Sequence, residues 1–235
     1  MTSPGPNTPP AAPSQSLPAS TYVQSIVFVV LTAIALFASA GTVAIPGFWV
    51  YLAIQTAAIV AAFIWLDADL LRERQRPGGQ KPPLALRLLV VVLFLHLIVA
   101  GLDRGRYHFS DMAPDWLLAA GLIAFAAGYA ICMWAMVENR FFSSIIRIQT
   151  DRGQHVISSG PYAVIRHPGY LGGILVIVGS GIGLGSWAAA AVICVTGLPF
   201  LFYRVVTEDR VLANELAGYR DYAARVRFRL VPGLW

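Results

Sequence analysis

Apolar residues run along this chain in long stretches, and polar residues gather between them. The stretches 22–43, 48–66, 88–102, 116–137 and 170–203 hold no Asp, Glu, Lys or Arg. Residues 1–66 lack these types altogether, so the first charge is Asp67. Every later charge falls into one of four blocks, 67–87, 103–115, 138–166 and 204–229. A helix needs about 20 apolar residues to cross a bilayer, and a charge at its centre costs about 3 kcal/mol. The pattern therefore predicts transmembrane helices over 22–43, 48–66 and 116–137. A further one covers 84–102, with Arg87 snorkelling to the interface. Pro46-Gly47 breaks the first two apart as a tight turn.

The run 170–203 is too long for one crossing and too short for two full ones, with Gly179, Gly181, Gly183 and Gly185 at its centre. It reads as a C-terminal transmembrane helical hairpin whose small residues permit close packing. Beyond it, Thr207 is placed to cap a cytoplasmic amphipathic tail helix that starts with Glu208 and Asp209 and continues to Val226. The expected fold class is all-α: a polytopic transmembrane bundle of four spans, the hairpin and the tail helix. The domain plan is a disordered Pro-rich tail over 1–20, a four-helix region over 21–137, and a catalytic region over 138–235.

Composition sharpens the class. The chain is 57% hydrophobic and 12% charged, against about a quarter charged in a soluble domain. A disordered chain is excluded and a soluble globular enzyme is disfavoured. Six prolines and no charge in residues 1–20 leave too little apolar surface to order that tail. It also lacks the basic start of a secretory signal. Cys132 and Cys194 lie within apolar spans without CxxC spacing, so no disulfide framework or metal site is implied.

The net charge of +5 reflects loops that face anionic lipid headgroups, and gives no argument for nucleic acid. With the N-terminus cytoplasmic, 15 of the 17 Lys and Arg fall on the inner side, leaving Arg104 and Arg106 outside. Only Lys81 among the basic residues is not Arg, a bias that points to a GC-rich bacterial source and an inner-membrane location.

Ionisable groups within the spans are scarce. His96 reads as a neutral imidazole bonded to a neighbouring helix, and Asp103 and His108 belong to the short outer loop. Without buried carboxylates, ion or proton transport is disfavoured. The chemistry gathers instead at 153–170, which is dense in hydrogen-bonding side chains. Gly160-Pro161 marks a turn, and Pro168 pushes His167 into an extended conformation. Arg166 and His167 would then stand at the mouth of the last apolar run, near Glu208 and Asp209.

His155-Val156-Ile157-Ser158-Ser159-Gly160-Pro161-Tyr162, followed by Arg166-His167-Pro168-Gly169-Tyr170, resembles the signature of the isoprenylcysteine carboxyl methyltransferase family. The pattern is also similar to that of integral-membrane phospholipid N-methyltransferases. Glu208-Asp209, then Gly218-Tyr219-Arg220-Asp221-Tyr222, then a terminal Pro232 continue the likeness over 138–235. The resemblance implies S-adenosylmethionine as cofactor and methyl transfer to a lipophilic small-molecule or lipid-anchored acceptor reached from the membrane lipids. By the same carry-over, His155, Gly160, Pro161, Tyr162, His167, Pro168, Tyr170, Glu208 and Tyr219 would bind the cofactor. Arg166 and Glu208 would take catalytic roles, Arg166 by pairing with an acceptor carboxylate. Family members often carry Glu-Glu where this chain has Glu208-Asp209, and the shorter Asp209 is not expected to touch the ligand. The competing readings are an NADPH-dependent membrane reductase and a non-catalytic scaffold or carrier.

Overall fold

The computed structural model describes residues 17–81, 83–111 and 113–235. Most of the Pro-rich segment, residues 1–16, lies outside the described residues. Helices α1 (Ala19–Ala40), α2 (Pro46–Trp65), α4 (Leu84–Leu102) and α5 (Asp115–Glu138) fall where the apolar runs place them. A short helix α3 (Ala68–Gln75) fills the polar block between α2 and α4. Then come α6 (Pro168–Gly183), α7 (Trp187–Glu215) and α8 (Tyr219–Arg225). Large side chains such as Ile26, Ile64, Val91, Ile123 and Val195 are exposed on the outer faces of the helices. This is the inverse of a soluble surface and suits contact with lipid.

Four spans plus a hairpin and a long tail helix is not the arrangement found. Among the described residues five helices are long and apolar enough to cross a membrane, the fifth being Trp187–Glu215. Helix α6 has only 16 residues, whereas α7 runs for 29 and carries Thr207, Glu208 and Asp209 within it. Thr207 therefore starts no helix. A cap is useful only where backbone N–H groups lack partners, and no Gly or Pro lies between Pro199 and Gly218 to stop α7 from continuing. The chain breaks instead at Gly218, in the left-handed region with φ 79°, and the tail helix shrinks to α8.

The glycines of α6 pack as expected, chiefly against α5. A Cβ on Gly128 would come within 2.7 Å of the Gly172 carbonyl oxygen, and one on Gly121 within 2.4 Å of the Gly183 nitrogen. Backbones this close lock α6 to α5 by dispersion contacts. At one end of the bundle the α6–α7 turn seats on buried Asp103. Its carboxylate accepts from Ser110 Oγ at 2.6 Å and Ser186 Oγ at 2.5 Å. Arg106 Nε donates to the Ser39 carbonyl at that same end. Within the spans, His96 is fully buried and lies 2.8 Å from Ser180 Oγ, which donates to Tyr51. Ser180 belongs to α6, so His96 bonds a neighbouring helix.

Gly128→Leu is expected to lower stability by about 2 kcal/mol through overpacking against a backbone that cannot move aside. Thermal unfolding of the detergent-solubilised protein measures it.

Candidate active site

At the opposite end of the bundle, the loop 139–167 folds back over α3 and meets α7 and α8. Three features shape the loop. Gly160 adopts φ 54°, and a Cβ there would lie 2.7 Å from Glu138 Oε2, so only glycine suits the turn. Pro161 is buried in that turn. Pro168 occupies the first turn of α6, where its missing N–H is harmless. His167 precedes it at φ −129°, ψ 60°, outside the helical region but less extended than proline alone would impose. The reason is tertiary: Arg166 and His167 donate their N–H groups to the Phe228 and Arg229 carbonyls, both at 2.9 Å.

Behind this loop lies a buried carboxylate. Asp209 accepts from Arg166 Nη2 at 3.0 Å, Arg229 Nε at 2.9 Å and Tyr219 Oη at 2.8 Å, and lies 3.2 Å from His167 Nε2. Burial, and after it the Asp209 charge, raises the Tyr219 hydroxyl above its ordinary range, so the phenol stays a donor. The Arg166 guanidinium also reaches the Ala223, Val226 and Arg227 carbonyls. Arg166 is thus held by Asp209 and the tail while lining the cavity described next.

In front of the Asp209 cluster opens a cavity of about 310 Å³. His155, Tyr162, Arg166, His167, Tyr170, Glu208 and Tyr219 all line it, so seven of the expected residues converge on one space. Gly160, Pro161 and Pro168 do not line it and act by shaping its walls. Asp209 stands behind the lining. Tyr170 donates to Glu208 Oε2 at 2.6 Å and accepts from Arg204 Nε at 3.0 Å. Tyr162 is held by Asn139 at 3.3 Å, and its carbonyl by Tyr222 Oη at 2.7 Å. Burial pushes the Tyr222 hydroxyl up to about 12. His155 packs edge-on to Phe141.

Several lining residues escaped the sequence reading. Arg204 stands four residues before Glu208, a helical spacing that puts both on one face and was the available signal. Arg74, Leu86 and Leu89 also line the cavity, although they precede the segment assigned to catalysis. No local pattern marks them, because only the packing of α3 and α4 brings them there. Helix α3 is tied to the loop by Glu73. Its carboxylate takes two bonds from Arg147, both 3.0 Å, and one from Ser143 at 2.9 Å. Burial opposes the Glu73 charge, but Arg147, the Gly78 N–H and Ser143 outweigh it and hold the carboxyl below its ordinary 4.5. Among the described residues no three His, Cys, Asp or Glu side chains gather as a metal site.

Comparison with known proteins bears on this same region. Residues 120–214, from α5 through nearly all of α7, match the sequence model of the isoprenylcysteine carboxyl methyltransferase family. Protein-S-isoprenylcysteine O-methyltransferase A of Arabidopsis thaliana is 29% identical over 114 residues, which is 47% of this chain and 57% of that protein. The protein-S-isoprenylcysteine O-methyltransferase of Schizosaccharomyces pombe is 27% identical over 94 residues, 39% of this chain and 40% of its own length. The cobalt-zinc-cadmium resistance protein CzcN of Cupriavidus metallidurans is 37% identical over 79 residues, 33% of this chain and 36% of its own. The chain thus spans little more than half the length of the first of these relatives, and less of the other two. The matched region contains Tyr162, Arg166, His167, Tyr170, Arg204, Glu208 and Asp209, whereas Tyr219 lies just beyond it.

Asp209→Ala leaves Arg166 and Arg229 without their counter-charge, and is expected to cost about 3 kcal/mol of stability, read as a lowered unfolding midpoint. The Glu73 contribution has a defined pH sign. Its folded pKa is depressed, so the stabilisation is complete above about pH 4.5 and disappears as pH falls through the folded value. The stability gap between wild type and Glu73→Gln should therefore close on acidification, in melting curves taken from neutral to acid pH.

Proposed function

We propose that the cavity binds S-adenosylmethionine and that the protein transfers a methyl group to a lipophilic acceptor in the membrane. The favoured acceptor group is the carboxylate of an isoprenylcysteine-like molecule. The observation that carries the reading is the convergence of Tyr162, His167, Tyr170 and Glu208 on one cavity, within the region that matches the family. Glu208 fits the cofactor: among the described residues its carboxylate has a tyrosine partner but no cationic one. A carboxylate so placed suits a ribose hydroxyl or an ammonium group. A volume of about 310 Å³ is at the lower end of small-molecule sites.

Bound S-adenosylmethionine supplies an activated methyl group, so the protein's task is to align the acceptor and exclude water. Glu208, held by Tyr170, which Arg204 holds in turn, would bind the polar part of the cofactor, and His155, Tyr162 and His167 would flank it. Asp209 and Arg166 position His167 and Tyr219 from behind. A carboxylate acceptor, with an ordinary pKa near 4, is ionised at neutral pH and needs no general base. The catalytic region is proposed as 138–235, with Arg74, Leu86 and Leu89 completing its wall. By the distribution of basic residues, the cavity, both termini and α3 are proposed to face the cytoplasm of a bacterial inner membrane.

Purified protein incubated with tritiated S-adenosylmethionine and a membrane lipid extract should label a lipophilic product. Release of the label by mild base identifies a carboxyl ester, and base-stable label an amine. Glu208→Gln is expected to weaken S-adenosylmethionine binding about tenfold in calorimetry, the loss of one charge-assisted bond. No binding by folded wild-type protein at millimolar cofactor would overturn the reading.

A further inference from the structure

The cations of the cavity are unevenly paired. Arg147 is paired with Glu73 and Asp151, and Arg166 with Asp209. Arg74 and Arg204 line the same space, and among the described residues neither forms an ion pair with a carboxylate. Arg204 is fixed by Tyr170 at 3.0 Å and lies over the Phe200 ring. The Arg74 guanidinium has only the Phe142 face, 5.1 Å away. Glu208 is the sole carboxylate among the described lining residues. Arg74 is thus a cavity cation with no carboxylate partner of its own among the described residues, and a sulfonium cofactor would add a further positive charge. A guanidinium removed from water without a counter-charge is strongly unfavourable. Arg74 is half-buried, and burial, with a smaller part from the nearby Arg204, works against its charge, which an anion in the cavity would offset.

The surroundings of Arg74 indicate which anion. Leu86 and Leu89, three residues apart on one face of α4, line the same cavity. They belong to the first turns of a helix that leads into the membrane-spanning bundle. A fixed cation beside an apolar wall complements an amphiphile with a negative head and a hydrocarbon body. Arg74, Leu86 and Leu89 all lie outside residues 120–214.

We propose that Arg74 binds the carboxylate of the acceptor while Leu86 and Leu89 hold its adjoining apolar chain. The α3–α4 segment then sets acceptor specificity, and α5–α7 supply the cofactor site. This assignment rests on the methyltransferase reading, which supplies both the cofactor and the acceptor.

The test uses the full chain in nanodiscs, with N-acetyl-S-farnesylcysteine and its uncharged carboxamide as probes, measured calorimetrically with and without S-adenosylhomocysteine. Wild type should prefer the carboxylate by about tenfold, the scale of a charge-assisted bond. Arg74→Gln should abolish that preference while affinity for the carboxamide and for S-adenosylhomocysteine stays within about twofold. Arg74→Lys should restore part of it. Leu86→Trp, which fills the apolar wall, should weaken both farnesyl probes and spare S-adenosylhomocysteine, so the proposal remains testable if an Arg74 variant misfolds. An undiminished carboxylate preference in folded Arg74→Gln overturns the proposal. So does a loss confined to S-adenosylhomocysteine and absent for its decarboxylated analogue, which would place Arg74 on the cofactor. If wild type binds no S-adenosylhomocysteine, the methyltransferase reading fails, and the arm without cofactor still decides Arg74.

Discussion

Asp209 draws together parts of the chain that would otherwise have no reason to meet. Its carboxylate holds Arg166 and His167 from the entry to α6, Tyr219 from α8, and Arg229 from the tail. Removing one charge from a buried cluster leaves the others uncompensated, so the set acts as a unit. The Tyr219 bond and the backbone pairing of 166–167 with 228–229 carry the same fastening outward. The front of the cluster becomes the floor of the cavity, and Glu208, one residue earlier on α7, is thereby aimed into it.

The second constraint is the bilayer. Hydrocarbon offers no partner for a polar group, so backbone groups must bond within helices and charges must leave the spans. Polar chemistry is thus swept to the two ends of the bundle. One end is closed by Asp103, whose bonds to Ser110 and Ser186 join the α4–α5 loop to the α6–α7 turn. The other end carries most of the arginines, and there the cavity forms. Glycine contacts between α5 and α6 connect the ends rigidly, so the position of His167 at the start of α6 is set by packing deep in the membrane.

The shared family region supplies only part of the cavity. Residues 120–214 contribute Tyr162, His167, Tyr170 and Glu208, the groups proposed to meet the cofactor. The wall from α3 and α4 lies outside it and is held in place by Glu73 and Arg147. A division of labour follows naturally: a matched region for the cofactor and a separate one for the acceptor. Relatives of this chain with different names are compatible with such a split.

Hydrophobic runs alone located α1, α2, α4 and α5 to within a few residues, because exclusion of charge from hydrocarbon is a local property of the sequence. The order of His155, Gly160, Tyr162, His167, Tyr170 and Glu208 likewise marked the cavity before any fold was known. The C-terminal part was less legible. Thr207 has the chemistry of a helix cap, but a cap signal cannot report that the preceding helix continues, and α7 therefore runs through it. Arg166 looked free to meet a ligand, yet Asp209 claims it. Arg74 looked like one more basic loop residue, yet α3 folds over the cavity and turns it inward. Those outcomes depend on contacts between residues tens of positions apart, where burial and charge pairing decide which partner each group meets. The sequence by itself determined the membrane class, four of the spans and the chemical inventory of the site; tertiary packing decided which of those groups support the cavity and which face into it.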